Sequence, residues 1–287
     1  MVLRHLIELQ RLFKRFVLIA NFLPVFVGFI LAIAYYNVSF YTVRQDFLLV
    51  TVGSILLIAG ALALNNWLEA DVDKLMERTK KRPTVTGTFS LRTVLLIGII
   101  FSAIGQGLLF LINLEVALYG FTGWFMYVVI YTMMTKRRFT WNTHIGSISG
   151  AVTPLMGWAV IDSAIAPIPI SLFLIMFLWQ MPHTYAIAIR KFDDYNRAGL
   201  KMLPVVKGFQ TTICRTVMYM LALFFVPLLI DEISMPLFII MTIINLAWLM
   251  IGLAGFRMQD TVKWATILFV SSLIYLMLTF LLYVIFI

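Results

Sequence analysis

Apolar runs of about twenty residues, separated by short polar or charged stretches, recur along the whole chain. Wound as a helix, a run of that length crosses the ~30 Å of hydrocarbon in a bilayer and satisfies its own backbone hydrogen bonds on the way. The runs predict helices over Phe16–Tyr36, Phe47–Trp67, Val94–Ile112, Val116–Met134, Ile145–Ile161, Ile168–Ile189, Ile213–Ile230, Met235–Phe256 and Trp264–Ile287. The expected fold is therefore all-α, a polytopic membrane protein with nine transmembrane helices bundled around a central cavity.

Composition agrees, with 62% hydrophobic and 12% charged residues, whereas about a quarter of a soluble domain is charged. The first run follows Arg4, His5, Arg11, Lys14 and Arg15 and so resembles a secretion signal. It is longer than the roughly 7–15 residues of a signal core and more spans follow, which makes it an uncleaved first helix. With the N-terminus cytoplasmic, twenty-one of the twenty-two Lys and Arg fall on inner segments and only Arg44 outside. This is the bias that orients membrane proteins, and adding or removing one helix would scramble it. The net charge of +9 is thus spread over membrane loops and forms no nucleic-acid face. Cys214 stands alone, which excludes an internal disulfide and a thiolate metal cluster.

Two inner connections, Leu68–Thr93 and Arg190–Thr212, are long and polar and lie four helices apart. That spacing predicts one membrane-embedded domain over 1–287, built from related halves at 16–134 and 145–256 plus a ninth helix at 264–287. Gly146-x-x-x-Gly150 permits close helix approach or faces a ligand, and Pro154, Pro182 and Pro227 are expected to interrupt their helices.

The densest polar segment runs from Asn65 to Pro83 and holds Glu69, Asp71, Asp73 and Glu77 with Lys74, Arg78, Lys80, Lys81 and Arg82. If the preceding helix continues, Asn65, Glu69 and Asp73 share one face at i, i+4 and i+8, with Asn66 beside them. Asp71 lies about 200° around from Glu69. Carboxylates so placed repel unless a cation separates them, and oxygen ligands with open water positions suit Mg²⁺ bridged to phosphates. The basic run that follows would hold the remaining phosphate oxygens. The plainer alternative is a solvated, salt-bridged loop between two membrane helices.

Asn65-Asn66-x-x-Glu69-x-x-x-Asp73, followed by Arg78-Thr79-x-x-Arg82-Pro83, resembles the first aspartate-rich motif of the UbiA-type membrane prenyltransferases. That motif commonly reads Asn-Asp-x-x-Asp-x-x-x-Asp, so this chain departs from it at Asn66 and Glu69. Such substitutions mark the protohaem IX farnesyltransferase (haem O synthase) branch, which Gly146–Trp158, Trp179-Gln-Met-Pro-His183 and Asp194-Tyr-x-x-Ala-Gly-x-x-Met-Leu-Pro-Val also resemble. The resemblance covers nearly the whole chain and its combination of motifs is specific.

The resemblance implies Mg²⁺-dependent transfer of the farnesyl group of farnesyl diphosphate to a vinyl group of protohaem IX, with addition of water, giving haem O. It implies Mg²⁺ held by Glu69, Asp73 and Asp194, the last standing in a depleted second aspartate motif. Asn65, Glu69, Asp73, Asp194 and His183 are then the expected catalytic residues, and Asn66, Arg78, Lys81, Arg82, Lys191 and His144 the expected substrate contacts. His183 lies seven residues before Arg190, about 10 Å down a helix, where it would ligate haem iron, orient a water or bond a neighbouring helix. His144, at a helix start, is a hydrated end residue or a haem contact. The expected setting is the cytoplasmic membrane, with the site facing the cytoplasm, lipid around it and a haem A synthase as partner. Two rivals are a same-fold enzyme prenylating a quinone precursor and a cation-coupled transporter, which would carry its carboxylates near mid-membrane. A third is a non-catalytic assembly factor for a respiratory oxidase.

Overall fold

In a computed structural model of the protein, the described residues are 2–230 and 233–287. The side chains of Arg4 and His5, which precede the first apolar run, lie outside the described residues. The helices are α1 (Val2–Leu12), α2 (Arg15–Tyr35), α3 (Phe40–Leu68), α4 (Ala70–Asp73), α5 (Pro83–Thr86), α6 (Leu91–Phe110), α7 (Leu114–Phe125), α8 (Asn142–Ala151), α9 (Thr153–Trp158), α10 (Pro167–Arg190), α11 (Phe192–Arg197), α12 (Leu203–Ala222), α13 (Met235–Ala254) and α14 (Thr261–Phe286). The helix begun by α7 widens into a π-helix over Met126–Thr135, and α12 tightens into a 3₁₀ segment over Leu223–Leu229. No strand occurs among the described residues.

Eight helices among the described residues are long and apolar enough to cross a membrane. The fifth expected span, Ile145–Ile161, is two pieces, α8 and α9, broken at Val152. The cause is Pro154, which has no N–H to give to Gly150; the Thr153 hydroxyl bonds that carbonyl instead, at 2.6 Å. The pieces still carry the chain between opposite ends of the bundle. Asn142 bonds the carbonyl of Lys201 at the basic end, while Ala159 accepts from Asn113 at the other. Pro182 sits within an unbroken α10, and Pro227 within the 3₁₀ segment. α12 starts earlier than the apolar run that begins at Ile213, and Gly208 (φ 78°) kinks it.

Lipid tails are as apolar as leucine, so helices here associate through close packing and polar cross-links. α9 illustrates the first: a Cβ on Gly157 would lie 1.9 Å from the Val25 carbonyl oxygen of α2, and one on Gly28 of α2 would lie 2.1 Å from that of Pro154. Gly150 faces Gln180 of α10, and Gly146 faces the Tyr131 ring. The helices close into a ring. α2 packs on α3, α9 and α14, α3 on α6, α6 on α7, and α8 on the π segment, while α10 joins α8 to α12 and α14. Outward faces keep residues such as Ile99, Leu246 and Met250 exposed, as a lipid-facing surface requires.

Candidate active site

Inside the ring lies a cavity of about 190 Å³. Leu57, Ala61 and Leu62 of α3 and Val17 of α2 form part of its wall, and Tyr119, Trp124 and Tyr127 supply aromatic faces. The next turns of the same two helices lead to charge. Asn65 follows Leu62 by one turn on α3, and Lys14 precedes Val17 by one turn at the start of α2. The cavity is therefore capped at one end by the polar island read from the sequence.

α3 ends at Leu68, and Glu69 leaves helical geometry (φ −103°, ψ 7°) before the single turn α4. The backbone hydrogen bonds from Glu69 to Asn65 and from Asp73 to Glu69 persist, at 3.0 and 2.8 Å, so the expected i, i+4, i+8 alignment survives the break. Asn65, Glu69 and Asp73 are all buried. Asn65 accepts from Lys14 and donates to the Thr132 hydroxyl at 3.1 Å. Glu69 pairs with Lys136, and Asp73 with Arg82. Asp71, on the outer side as expected, takes both ends of the Arg137 guanidinium at 2.7 and 2.8 Å.

Burial alone would raise the carboxyl of Glu69, but Lys136 and Lys14 outweigh it and hold the group below the usual carboxylate range. Lys14 is pushed the other way. Its burial, reinforced by nearby Arg82, holds its ammonium well below the ordinary lysine value. It also adopts a left-handed backbone (φ 47°), a conformation that costs a non-glycine residue energy and clusters at functional sites.

The widened helix brings the opposite wall to this cluster. The Thr132 hydroxyl bonds the carbonyl of Tyr127, five residues back, at 2.7 Å, and Lys136 follows the last π turn with its ammonium 5.4 Å from the Tyr131 ring centroid. A π segment rotates every residue after it relative to an α-helix and is frequent at functional sites. Here Asn65, Thr132, Glu69 and Lys136 face one another across the cavity's end.

The loops beyond α3 and α10 close over this end. Asp194 of α11 accepts the backbone N–H of Glu77 at 3.1 Å, and Arg78 reaches the Tyr195 hydroxyl at 3.5 Å. Val72 and Met76 pack with Tyr195, Leu200 and Met202 beneath.

The model of the UbiA prenyltransferase family matches residues 21–274. The chain belongs to this family. It is 43% identical over 274 residues to the "Protoheme IX farnesyltransferase" of Oceanobacillus iheyensis, covering 95% of this chain and 87% of that one. It is likewise 43% identical over 261 residues to the "Protoheme IX farnesyltransferase 2" of Bacillus subtilis, covering 91% and 86%. Among solved structures, a digeranylgeranylglyceryl phosphate synthase superposes with a TM-score of 0.80 at 14% identity, covering 98% of each chain. A UbiA homologue from Archaeoglobus fulgidus, bound to DMAPP and Mg²⁺, superposes at 0.69 with 17% identity over 96% of this chain and 98% of that one.

Within this UbiA-family fold the expected site residues separate into groups. Asn65, Glu69, Asp73 and Arg82 meet at the cavity's end. Asn66 turns away and donates to the Leu12 carbonyl at 2.6 Å, tying α1 to α3. Arg78 lies at the rim on Tyr195, and Lys81 and Lys191 are exposed. Asp194 joins the two loops; among the described residues no three Asp, Glu, His or Cys side chains are grouped around one metal position as they stand. His183 stacks between Trp179 and Phe269, at 4.7 and 5.0 Å, and bonds the Ser272 hydroxyl of α14 at 2.8 Å. Of the roles left open for it, the geometry shows the bond to a neighbouring helix. His144 bonds the Tyr219 hydroxyl of α12, with Nδ1 buried and unpartnered. Sequence reasoning missed Lys14, Lys136 and Thr132. The two lysines flank predicted spans and were visible as orienting charge, but nothing in the sequence says that they turn inward.

Proposed function

We propose that the protein transfers the farnesyl group of farnesyl diphosphate to a vinyl group of protohaem IX, giving haem O and diphosphate. The observation that carries this reading is a buried cluster of carboxylates and cations capping an aromatic-lined apolar cavity inside a membrane bundle. Relatives at 43% identity bear the name of this reaction, and they match 91–95% of this chain.

An isoprenoid chain suits the apolar cavity and its diphosphate suits the charged end. Lys14, Lys136 and Arg82 offer three cations, and as the diphosphate enters they exchange some of their hold on Asn65, Glu69 and Asp73 for phosphate oxygens. The donor set also fits Mg²⁺. Glu69 and Asp73 supply hard oxygens, and the buried Oδ1 of Asp73 has no partner. Asp194 is the proposed third ligand, one that would have to share its hold on Glu77. Mg²⁺ bound with the diphosphate would neutralise the leaving group.

The C1–O bond of the farnesyl group then breaks, and both bonding electrons leave with the diphosphate. Tyr119, Trp124 and Tyr127 present π faces to the allylic cation and keep water from it. The vinyl carbon attacks C1, and the resulting cation, conjugated with the porphyrin, takes up water and loses a proton. The basic rim of Arg78, Lys81 and Lys191 is where we place the haem propionates. The excess of Lys and Arg at this end supports a site that faces the cytoplasm from a cell membrane, and a haem A synthase would take up the product.

The test is an assay of detergent-solubilised protein with protohaem IX, farnesyl diphosphate and Mg²⁺, read by mass spectrometry. The expected product has the mass of haem plus a farnesyl and a hydroxyl group and is lost in Glu69→Gln and Asp73→Asn. Prenylation of a quinone precursor with none of haem would reject the acceptor.

A further inference from the structure

A second groove lies between α1 and the start of α2, lined by Ile7, Gln10, Arg11, Arg15, Phe16 and Val17 with the stem of Lys14. Its polarity is layered. Two guanidiniums stand where the first membrane span begins, and Phe16, 73% exposed, and Val17 continue from them into that span. A phospholipid has the same order, with anionic phosphate above acyl chain.

The guanidiniums are held but not used up. One nitrogen of Arg11 pairs with the buried Glu8 at 2.6 Å. One nitrogen of Arg15 donates to Gln10 at 2.9 Å, and its plane lies 4.6 Å from the Phe16 ring centroid. Each guanidinium has five N–H donors in a planar fork, so both keep donors for phosphate. Lys14 does not compete, because its ammonium is turned inward onto Asn65. Glu8 is the only carboxylate among residues 7–17 and is already paired with Arg11. The platform is fixed as well, since Leu12 is fully buried and its carbonyl is bonded to Asn66. α1 is thus an amphipathic helix docked on the bundle at headgroup depth, the setting in which basic residues recognise anionic lipid.

We infer that the groove between α1 and α2 binds an anionic phospholipid, with Arg11 and Arg15 on its phosphate and an acyl chain along Phe16 and Val17. The lipid would brace the junction whose left-handed residue, Lys14, sends its ammonium into the active site. The binding claim does not depend on which acceptor the enzyme prenylates.

The test uses the full chain in nanodiscs of phosphatidylcholine with a minor share of phosphatidylglycerol, followed by native mass spectrometry of the lipid retained on extraction. Phosphatidylglycerol is expected to be retained over phosphatidylcholine. Retention should fall about fivefold in Arg11→Gln or Arg15→Gln and about thirtyfold in the pair, and recover in the Arg→Lys pair. Arg44→Gln, at the opposite end, should leave it unchanged. The single variants keep the test open if the pair does not fold. Equal retention of the two lipids, or unchanged retention in both single variants, would overturn the inference. Stoichiometric displacement of phosphatidylglycerol by farnesyl diphosphate would also overturn it and give the groove to the substrate.

Discussion

Glu69 and Lys136 approach from different helices, and their side chains are 5% and 13% exposed. Removing one member of a buried ion pair leaves the other charge unpaired, at about 3–5 kcal/mol. Lys14 gives Glu69 a second cation, which places Lys136→Met near the lower end, about 3 kcal/mol, and Glu69→Gln similar. Removing both leaves no orphan and should cost about 1 kcal/mol. At ~2–4 °C per kcal/mol for a chain approaching this size, each single variant should lose roughly 6–12 °C of melting temperature. The double variant should recover most of that loss. Tryptophan fluorescence during thermal unfolding in detergent measures it. Since the carboxyl of Glu69 is depressed, the pair's contribution is full above the ordinary carboxylate range and fades as pH falls through the lower folded value. Wild type and the Lys136→Met variant should therefore converge in acid. A double variant showing the sum of the single losses would refute the pairing.

Other variants separate the remaining roles. Lys14 loses its proton below the ordinary lysine value, so the KM for farnesyl diphosphate should rise on the alkaline side; Lys14→Arg, which stays charged, should flatten that limb of the pH profile. Asp194→Asn keeps an oxygen for the Glu77 N–H, whereas Asp194→Ala does not; wild-type Mg²⁺ dependence in the first would mark the residue as a loop tether alone, and a raised Mg²⁺ requirement would support ligation. Gly157→Ala drives a methyl group into the Val25 carbonyl and should cost about 3 kcal/mol or more, read as a fall in melting temperature.

The helices were legible because a bilayer imposes one length and one polarity on whatever crosses it. Breaks within helices were less so. Pro154 marked one, but Met126–Thr135 carries no residue that announces a π-helix, and only the structure shows the Thr132 and Thr135 hydroxyls on carbonyls five residues back. α1 went unpredicted, its basic residues read only as a lead into the first span, because eleven residues fall short of a membrane crossing. The same division runs through the site. Glu69 and Asp73 are spaced along one strip of chain, so periodicity found them. Lys14 and Lys136 come from elsewhere, and only packing shows that they serve the same carboxylates. His183 was singled out by its depth in the membrane, yet that depth is explained by Ser272 and two aromatic faces.

The arrangement also explains why the charged cluster tolerates its place at the edge of hydrocarbon. Two buried carboxylates without partners would repel each other and pay the full cost of desolvation, while Lys136 and Arg82 let the site fold with its charges matched. A diphosphate arriving with Mg²⁺ brings opposite charges in nearly equal amounts, so the ion pairs can exchange partners without stranding any of them. On the proposed function, Glu69 and Asp73 would hold the metal, and Lys14, Lys136 and Arg82 the phosphate oxygens. In this view the resting salt bridges are a preorganised substitute for the substrate complex, and the leaving group meets cations that need little further rearrangement. Replacing Lys136 therefore removes a stabilising partner and, on the proposed function, a phosphate contact. Replacing Asp71, whose partner Arg137 lies on the exposed side of the same turn, removes neither.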